Sequence, residues 1–327
     1  MRRNKISIIG AGNVGASLAQ FLAIKELGDI YLFDVVEGIP EGKSLDIMEA
    51  SAHWGYSIQL RGFTVVNPDL YENLSESDII VITAGMGRKP GMTRDDLLEA
   101  NLKVMKSVGE NIRKFTENPI IIVVTNPADA MAYAIYKITG ISPRRIIGLG
   151  GALDSARFRT FIALELGVSV ENVSALVIGG HGDDMVPLIR FANVSGIPLT
   201  ELMERSKIDE LVKRTRFGGD EIVNFLKSGG AYYAPAISIT SMIESIIKDK
   251  KRVIPCAAYL SEEDQHYGAK GVFIGVPVLL GKNGVERIFN INFSDEEKRL
   301  WERTTLSVKK NCRKVDEFLS NTESNNI

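Results

Sequence analysis

The sequence predicts an α/β protein: a doubly wound parallel sheet with helices on both faces, followed by a second unit of α+β type. Three observations carry that prediction. Short continuous β-branched runs such as Ile79 to Ile82 and Ile120 to Val124 lack polar alternation, so both faces of each strand require cover. Helical periods separate these runs through the first half, as parallel strands joined by crossover helices demand. The second half loses this regularity and turns to irregular strand-like runs and long helices. The expected division is residues 1–147 and 148–327, in a chain of 327 residues that can bury a large core.

Composition narrows the function before any motif is read. The chain is 45% hydrophobic, and 39 basic residues against 41 acidic ones give a net charge of -2 without a long block of either sign. Neither a nucleic acid nor an anionic membrane is therefore an expected partner. The N-terminal MRRNKISIIG has too brief an apolar run for a signal-peptide core, and no later stretch approaches the roughly 18 apolar residues of a membrane helix. Cys256 and Cys312 are far apart, with no C-x-x-C spacing and no clustered histidine, so neither a disulfide framework nor a metal site is expected. A soluble protein of a reducing cytosol is the resulting expectation.

The first strand, Lys5 to Ile9, runs into Gly10-Ala11-Gly12-Asn13-Val14-Gly15, and a helical pattern follows to about Lys25. This is G-x-G-x-x-G in its required setting of strand, tight turn and helix start. Two glycines allow backbone to approach a pyrophosphate, the third lets the helix press on the strand, and the helix N-terminus offers unpaired amides. The next strand, Asp29 to Phe33, ends in Asp34, nineteen residues beyond Gly15. A carboxylate there accepts hydrogen bonds from the adenosine ribose of NAD and repels the 2′-phosphate of NADP. Read without the motif, Asp34 caps a turn.

The pattern continues with a helix over Ile39 to Ala50, a strand over Thr64 to Val66, the buried strands already named, and a long helix over Leu97 to Thr116. In such sheets ligands gather beyond the carboxyl ends of the strands. Gly10, Asp34, the Gly85 loop and Thr125-Asn126-Pro127 fall there. Asn126 precedes a proline and is biased toward extended backbone, which turns its amide toward the crevice; the alternative is an ordinary Asn-Pro turn.

The second half opens at the junction Gly148-Leu149-Gly150-Gly151. In the helix that follows, Asp154 and Arg157 are three residues apart and share a face, either as an intrahelical ion pair or as parts of a site. A strand from Ala175 to Ile178 then leads to Gly179-Gly180-His181-Gly182-Asp183. Of three histidines, His181 alone is framed by glycines at a strand end. A histidine is the natural proton shuttle near neutral pH and needs a partner to fix its tautomer, for which Asp154 is the candidate. Strands are expected over Val186 to Asn193, Val253 to Tyr259, and a hairpin of Val272 to Leu280 with Gly284 to Phe289. Helices are expected over Glu201 to Phe217, Ala236 to Lys248 and Asp295 to Leu319.

One stretch remains, AGMGRKPGMTRDDLL from Ala84 to Leu98. Glycines and a proline punctuate it directly after a buried strand, and it carries Arg88 and Arg94. It reads either as a solvated surface turn or as a mobile loop whose guanidinium forks close over a small dicarboxylate.

Taken together, the chain resembles the lactate/malate dehydrogenase family, and within it the malate dehydrogenases of the lactate-dehydrogenase-like type. The likeness rests on GAGNVG from Gly10, FDVVEGIPEGKSLDIMEA from Phe33, GRKPGMTRDDLL from Gly87, VTNP from Val124, LDSARFR from Leu153 and GGHGDDMVPL from Gly179. The resemblance implies a Rossmann-type NAD-binding domain at 1–147 and a catalytic domain at 148–327. It implies that Gly10, Ala11, Gly12, Asn13, Val14, Gly15, Asp34, Asn101, Val124, Thr125 and Asn126 hold NAD. Arg157 grips the carboxylate beside the reacting carbon, and Asn126 bonds the same region. His181, oriented by Asp154, accepts the proton as (S)-malate is oxidised to oxaloacetate. Arg94 polarises the carbonyl oxygen and Arg88 reads the far carboxylate. The runner-up is a lactate or broad 2-hydroxyacid dehydrogenase, and the resemblance implies that lactate dehydrogenases typically carry an uncharged residue where Arg88 stands. Family members assemble as homodimers or homotetramers, with the helix bearing Leu45, Ile47 and Met48 a candidate contact.

Overall fold

The computed structural model describes residues 2–66, 68–87 and 91–324. Strand and helix alternate through the first half as β1 (Lys5–Ile9), α1 (Asn13–Ile24), β2 (Asp29–Asp34), α2 (Ile39–Trp54), β3 (Leu60–Thr64), β4 (Ile79–Ile82), α3 (Arg94–Phe115), β5 (Ile120–Val123), α4 (Ala128–Thr139) and β6 (Ile146–Gly148). The second half contributes α5 (Gly151–Leu166), the two-residue strands β7 (Val173–Ser174), β8 (Val177–Ile178), β9 (Val186–Pro187), β10 (Asn193–Val194) and β11 (Ile197–Pro198), and the short α6 (Leu199–Leu202). It ends with α7 (Arg205–Leu226), α8 (Tyr233–Ile247), β12 (Arg252–Leu260), β13 (Val272–Gly281), β14 (Gly284–Ile288) and α9 (Asp295–Ser324).

Strands β3-β2-β1-β4-β5-β6 lie side by side and all parallel, the order reversing beside β1, where crossovers go to opposite faces. Their buried isoleucines and valines pack under α1, α3, α4 and α8 in the main core. The second half builds no large sheet of its own. Instead β12 pairs antiparallel to β6 where Ala257 faces Gly148, and β13 and β14 continue outward, giving nine strands in one mixed sheet. A smaller apolar cluster, with Phe158, Met185, Leu199 and Leu211, binds α5 and α7 to the short strands.

Several boundaries differ from those the sequence predicts, for identifiable reasons. Strand β3 covers Leu60–Thr64 rather than Thr64 to Val66. Its Gly62 passes so near α2 that a side chain would sit 2.2 Å from the Pro40 carbonyl, and that glycine disguised the run. Strand β6, not expected from the sequence, ends at Gly148, the first residue of the glycine-rich junction. The run Val186 to Asn193 is two strands separated by a 3₁₀ turn at Ile189–Phe191. Helix α7 continues through Gly218 and Gly219 to Leu226, past the expected end at Phe217. Both glycines pack on the Arg157 side chain, 3.4 and 3.6 Å from where their Cβ atoms would be.

Candidate active site

The predicted cofactor residues lie beyond the carboxyl ends of β1, β2, β4 and β5. At the first of these, Gly10 adopts φ +112°, and any side chain there would strike the Ala84 amide at 2.5 Å. A Cβ on Gly15 would lie 1.9 Å from the Gly10 carbonyl, so α1 presses against the turn as the motif requires. Gly12 differs: nothing lies within 4 Å of where its Cβ would be. Gly12 is also the N-cap of α1 and supplies no side-chain cap, so the helix start of Asn13 and Val14 presents bare amides beside an open face.

Asp34 ends β2 with both oxygens engaged, accepting from the Ala11 amide at 2.6 Å and the Val36 amide at 3.0 Å. On the other side, Lys43 of α2 donates to the Ala11 carbonyl at 2.7 Å. Ala11 is therefore held from two directions, a clamp for which Lys43 gave no sequence signal.

Asn101 is fully buried rather than on a helix surface. Its carbonyl oxygen accepts from the Met86 amide at 2.7 Å, and its Nδ2 donates to the Met86 and Asn126 carbonyls at 3.1 and 2.7 Å. One side chain thus ties the loop after β4 to the loop after β5. Val124 and Thr125 begin the second loop, and the Thr125 hydroxyl donates to the Ala84 carbonyl at 2.6 Å, a second tie between the two. The Asn126 side chain lies on the exposed face of this loop.

In the second half, α5 carries Asp154 and Arg157. Ser155 between them accepts from the Val177 amide at 2.9 Å and anchors α5 to β8. Beyond β8, Gly179 and Gly275 of β13 exchange backbone hydrogen bonds of 2.8 and 3.1 Å, an approach that a side chain on Gly275 would prevent. Gly180 then donates to the Thr304 hydroxyl of α9 at 2.8 Å. This chain of contacts delivers the imidazole of His181 to Asp154, with Nδ1 2.9 Å from Oδ2.

Asp154 is 1% exposed. Its Oδ1 lies 3.6 Å from Arg157 Nη1, so ion-pair and site readings of this pair coincide. The carboxylate assigns the proton on the neutral ring to Nδ1, which leaves the Nε2 lone pair free to accept another. Burial disfavours the charged imidazolium, but the facing Asp154 carboxylate outweighs it and the His181 pKa is raised.

Of the two predicted loop arginines, one falls among the described residues. Arg94 is the first residue of α3, behind a Thr93–Asp96 capping box, and its guanidinium pairs with Asp183, two residues past His181. Arg88 lies outside the described residues. Asp183 and the buried acid Asp129 are not singled out by the sequence. Asp183 was visible only as a neighbour of His181, and Asp129 reads as an ordinary acid in a helix's first turn.

The arrangement defines a class: a dinucleotide-dependent oxidoreductase, with a dinucleotide-type turn on one half and an imidazole held by a buried carboxylate on the other. Comparison with known proteins agrees. Residues 4–148 match the family "lactate/malate dehydrogenase, NAD binding domain", and residues 151–319 match "lactate/malate dehydrogenase, alpha/beta C-terminal domain". The chain belongs to the lactate/malate dehydrogenase family, and its cofactor is NAD. It is 60% identical over 320 residues to the malate dehydrogenase of Thermoplasma volcanium, covering 98% of both chains. The apo malate dehydrogenase of Picrophilus torridus superposes with a TM-score of 0.96 at 59% identity, over 98% of this chain and 99% of that one. The lactate dehydrogenase of Cryptosporidium parvum, solved with lactic acid and nicotinamide adenine dinucleotide, gives 0.91 at 39% identity, over 97% and 99%.

Proposed function

We propose that the protein is an NAD-dependent malate dehydrogenase interconverting (S)-malate and oxaloacetate. The observation that carries the chemistry is one buried carboxylate, Asp154, with His181 at 2.9 Å and Arg157 at 3.6 Å. A group suited to grip a substrate carboxylate and a group suited to take a proton are thereby fixed relative to each other. The first half fits the cofactor: the open face at Gly12 leaves room for a pyrophosphate on bare helix amides, and the Asp34 carboxylate faces the same turn.

In this reading Gly10, Ala11, Gly12, Asn13, Val14 and Gly15 take the pyrophosphate, and Asp34 the adenosine ribose. Val124, Thr125 and Asn126 border the nicotinamide end, with Asn101 holding that border in place. NAD, when bound, supplies the hydride acceptor for the oxidation. Arg157 pairs with the carboxylate beside the reacting carbon, assisted by Asn126. Nε2 of His181 takes the hydroxyl proton as hydride leaves the same carbon, and Asp154 balances the imidazolium. Arg94 turns from Asp183 to the substrate oxygen, and Arg88 reads the far carboxylate.

Fold likeness does not choose between malate and lactate: the Cryptosporidium parvum malate and lactate dehydrogenases superpose equally well, at 0.92 and 0.91. The charge of Arg88 and the high identity to curated malate dehydrogenases favour the four-carbon diacid. The test is NADH absorbance followed with oxaloacetate and then with pyruvate. Oxaloacetate turnover should dominate; equal or faster use of pyruvate would overturn the specificity. The same reading includes a cytosolic homodimer or homotetramer, in keeping with Leu45 on α2, which is 62% exposed. Light scattering counts the subunits.

A further inference from the structure

Behind His181 lies a second buried acid that the proposed chemistry does not use. Asp129, in the first turn of α4, is 7% exposed, and its Oδ2 accepts the backbone N–H of His181 at 3.1 Å. Its Oδ1 is buried with no hydrogen-bond partner among the described residues. Consecutive amides of the histidine loop are thus fixed to different helices, Gly180 to Thr304 of α9 and His181 to Asp129 of α4.

A neutral acceptor such as asparagine would hold the His181 amide equally well without burying an ionisable group, whose desolvation is costly. What only an acid supplies is negative charge behind an imidazole that becomes positive when it takes a proton. The groups around this acid bear the assignment out. Asp154 and Arg157 face the ring from α5, one favouring and one opposing the imidazolium, and Asp129 adds a second favouring charge from α4. From α9 the Cys312 thiol, pushed up to about 12 by burial and then by Asp129 and Asp316, stays neutral.

We infer that Asp129 is a positioning residue for His181, fixing its backbone over Asp154 and supplying a second carboxylate that favours the protonated ring. The inference rests on His181 being the proton acceptor. Burial lifts the Asp129 carboxyl to about 6, so its charge itself varies across the acid side of the working range.

The test is histidine NMR of the full-length apo protein, whose three imidazoles give few signals, combined with pH profiles in both directions. Asp129→Asn should leave NADH affinity unchanged and lower the His181 pKa by roughly 0.5–1 pH unit. Malate oxidation needs the neutral ring, so its acid limb should move to lower pH by the same amount. The alkaline limb of oxaloacetate reduction, which needs the protonated ring, should also move down. Asp129→Ala, which removes the acceptor as well, should cost on the order of tenfold more in kcat than Asp129→Asn. In the wild type the His181 signal should show a second inflection near pH 6 as Asp129 ionises. An unmoved His181 titration in Asp129→Asn would overturn the inference. If the wild type does not use oxaloacetate, the functional reading fails while the NMR titration still decides the coupling.

Discussion

His181 shows how much a single side chain depends on its neighbours. Burial alone would lower its pKa, yet the Asp154 carboxylate reverses the direction. Oxidation, which needs the neutral ring, should therefore rise as pH increases through the His181 pKa, and reduction should fall. Replacement His181→Asn removes the acceptor at Nε2 while keeping size and polarity. It should lower kcat by two to four powers of ten, leaving NADH binding by fluorescence unchanged. Loss of binding would instead make the residue architectural. The pairing with Asp154 was legible because glycines frame His181 and because Asp154 and Arg157 share a helical face. Asn101 was not: a polar residue in a polar-looking helix gives no sign that both its donors and its acceptor are consumed by backbone from two loops.

Among the larger pieces, the segment from Gly85 to the start of α3 divides into parts of different character. Read from sequence, Arg88 and Arg94 ride the same loop. In the fold Arg94 belongs to α3, whose start is secured by the Thr93–Asp96 box and by Lys314 of α9 contacting Asp95 at 2.5 Å. Its guanidinium extends from a fixed base and is paired with Asp183. Under the proposed function, selectivity falls to Arg88. An arginine facing the methyl group of pyruvate under a closed loop would be desolvated and unpaired, at about 3–5 kcal/mol. Arg88→Gln should therefore reduce kcat/KM for oxaloacetate by roughly two to four powers of ten and spare that for pyruvate. Equal loss on both substrates would show that Arg88 shapes the loop instead of reading charge.

Across the full fold, sequence periodicity located the alternating half because buried parallel strands are written as uninterrupted β-branched runs. It could not show that the later strands extend the same sheet, since pairing of β12 with β6 depends on Ala257 meeting Gly148, residues more than a hundred positions apart. Long-range electrostatics were equally hidden. Glu244 of α8 gathers Lys250 at 2.9 Å, Lys248 at 3.1 Å and, from the C-cap of α1, Lys25 at 3.2 Å. Hydrogen bonds from Lys250 and Lys248, with Lys25 adding its own, hold its carboxyl at about 2. A folded-state pKa below the unfolded value adds stability above the ordinary carboxylate range, and that stability is lost as pH falls toward 2. Because the lysines are half exposed, Glu244→Gln should cost about 1–2 kcal/mol in urea unfolding at pH 7. The gap between mutant and wild type should close as the medium is acidified.

Where Ala257 lies opposite Gly148, a Cβ on Gly148 would sit 2.9 Å from the alanine methyl group. That bare position lets cofactor-side and substrate-side strands share one hydrogen-bonded ladder, without a hinge line between two bodies. Under the proposed function, the spacing between the dinucleotide turn and the imidazole is thereby set by one continuous sheet.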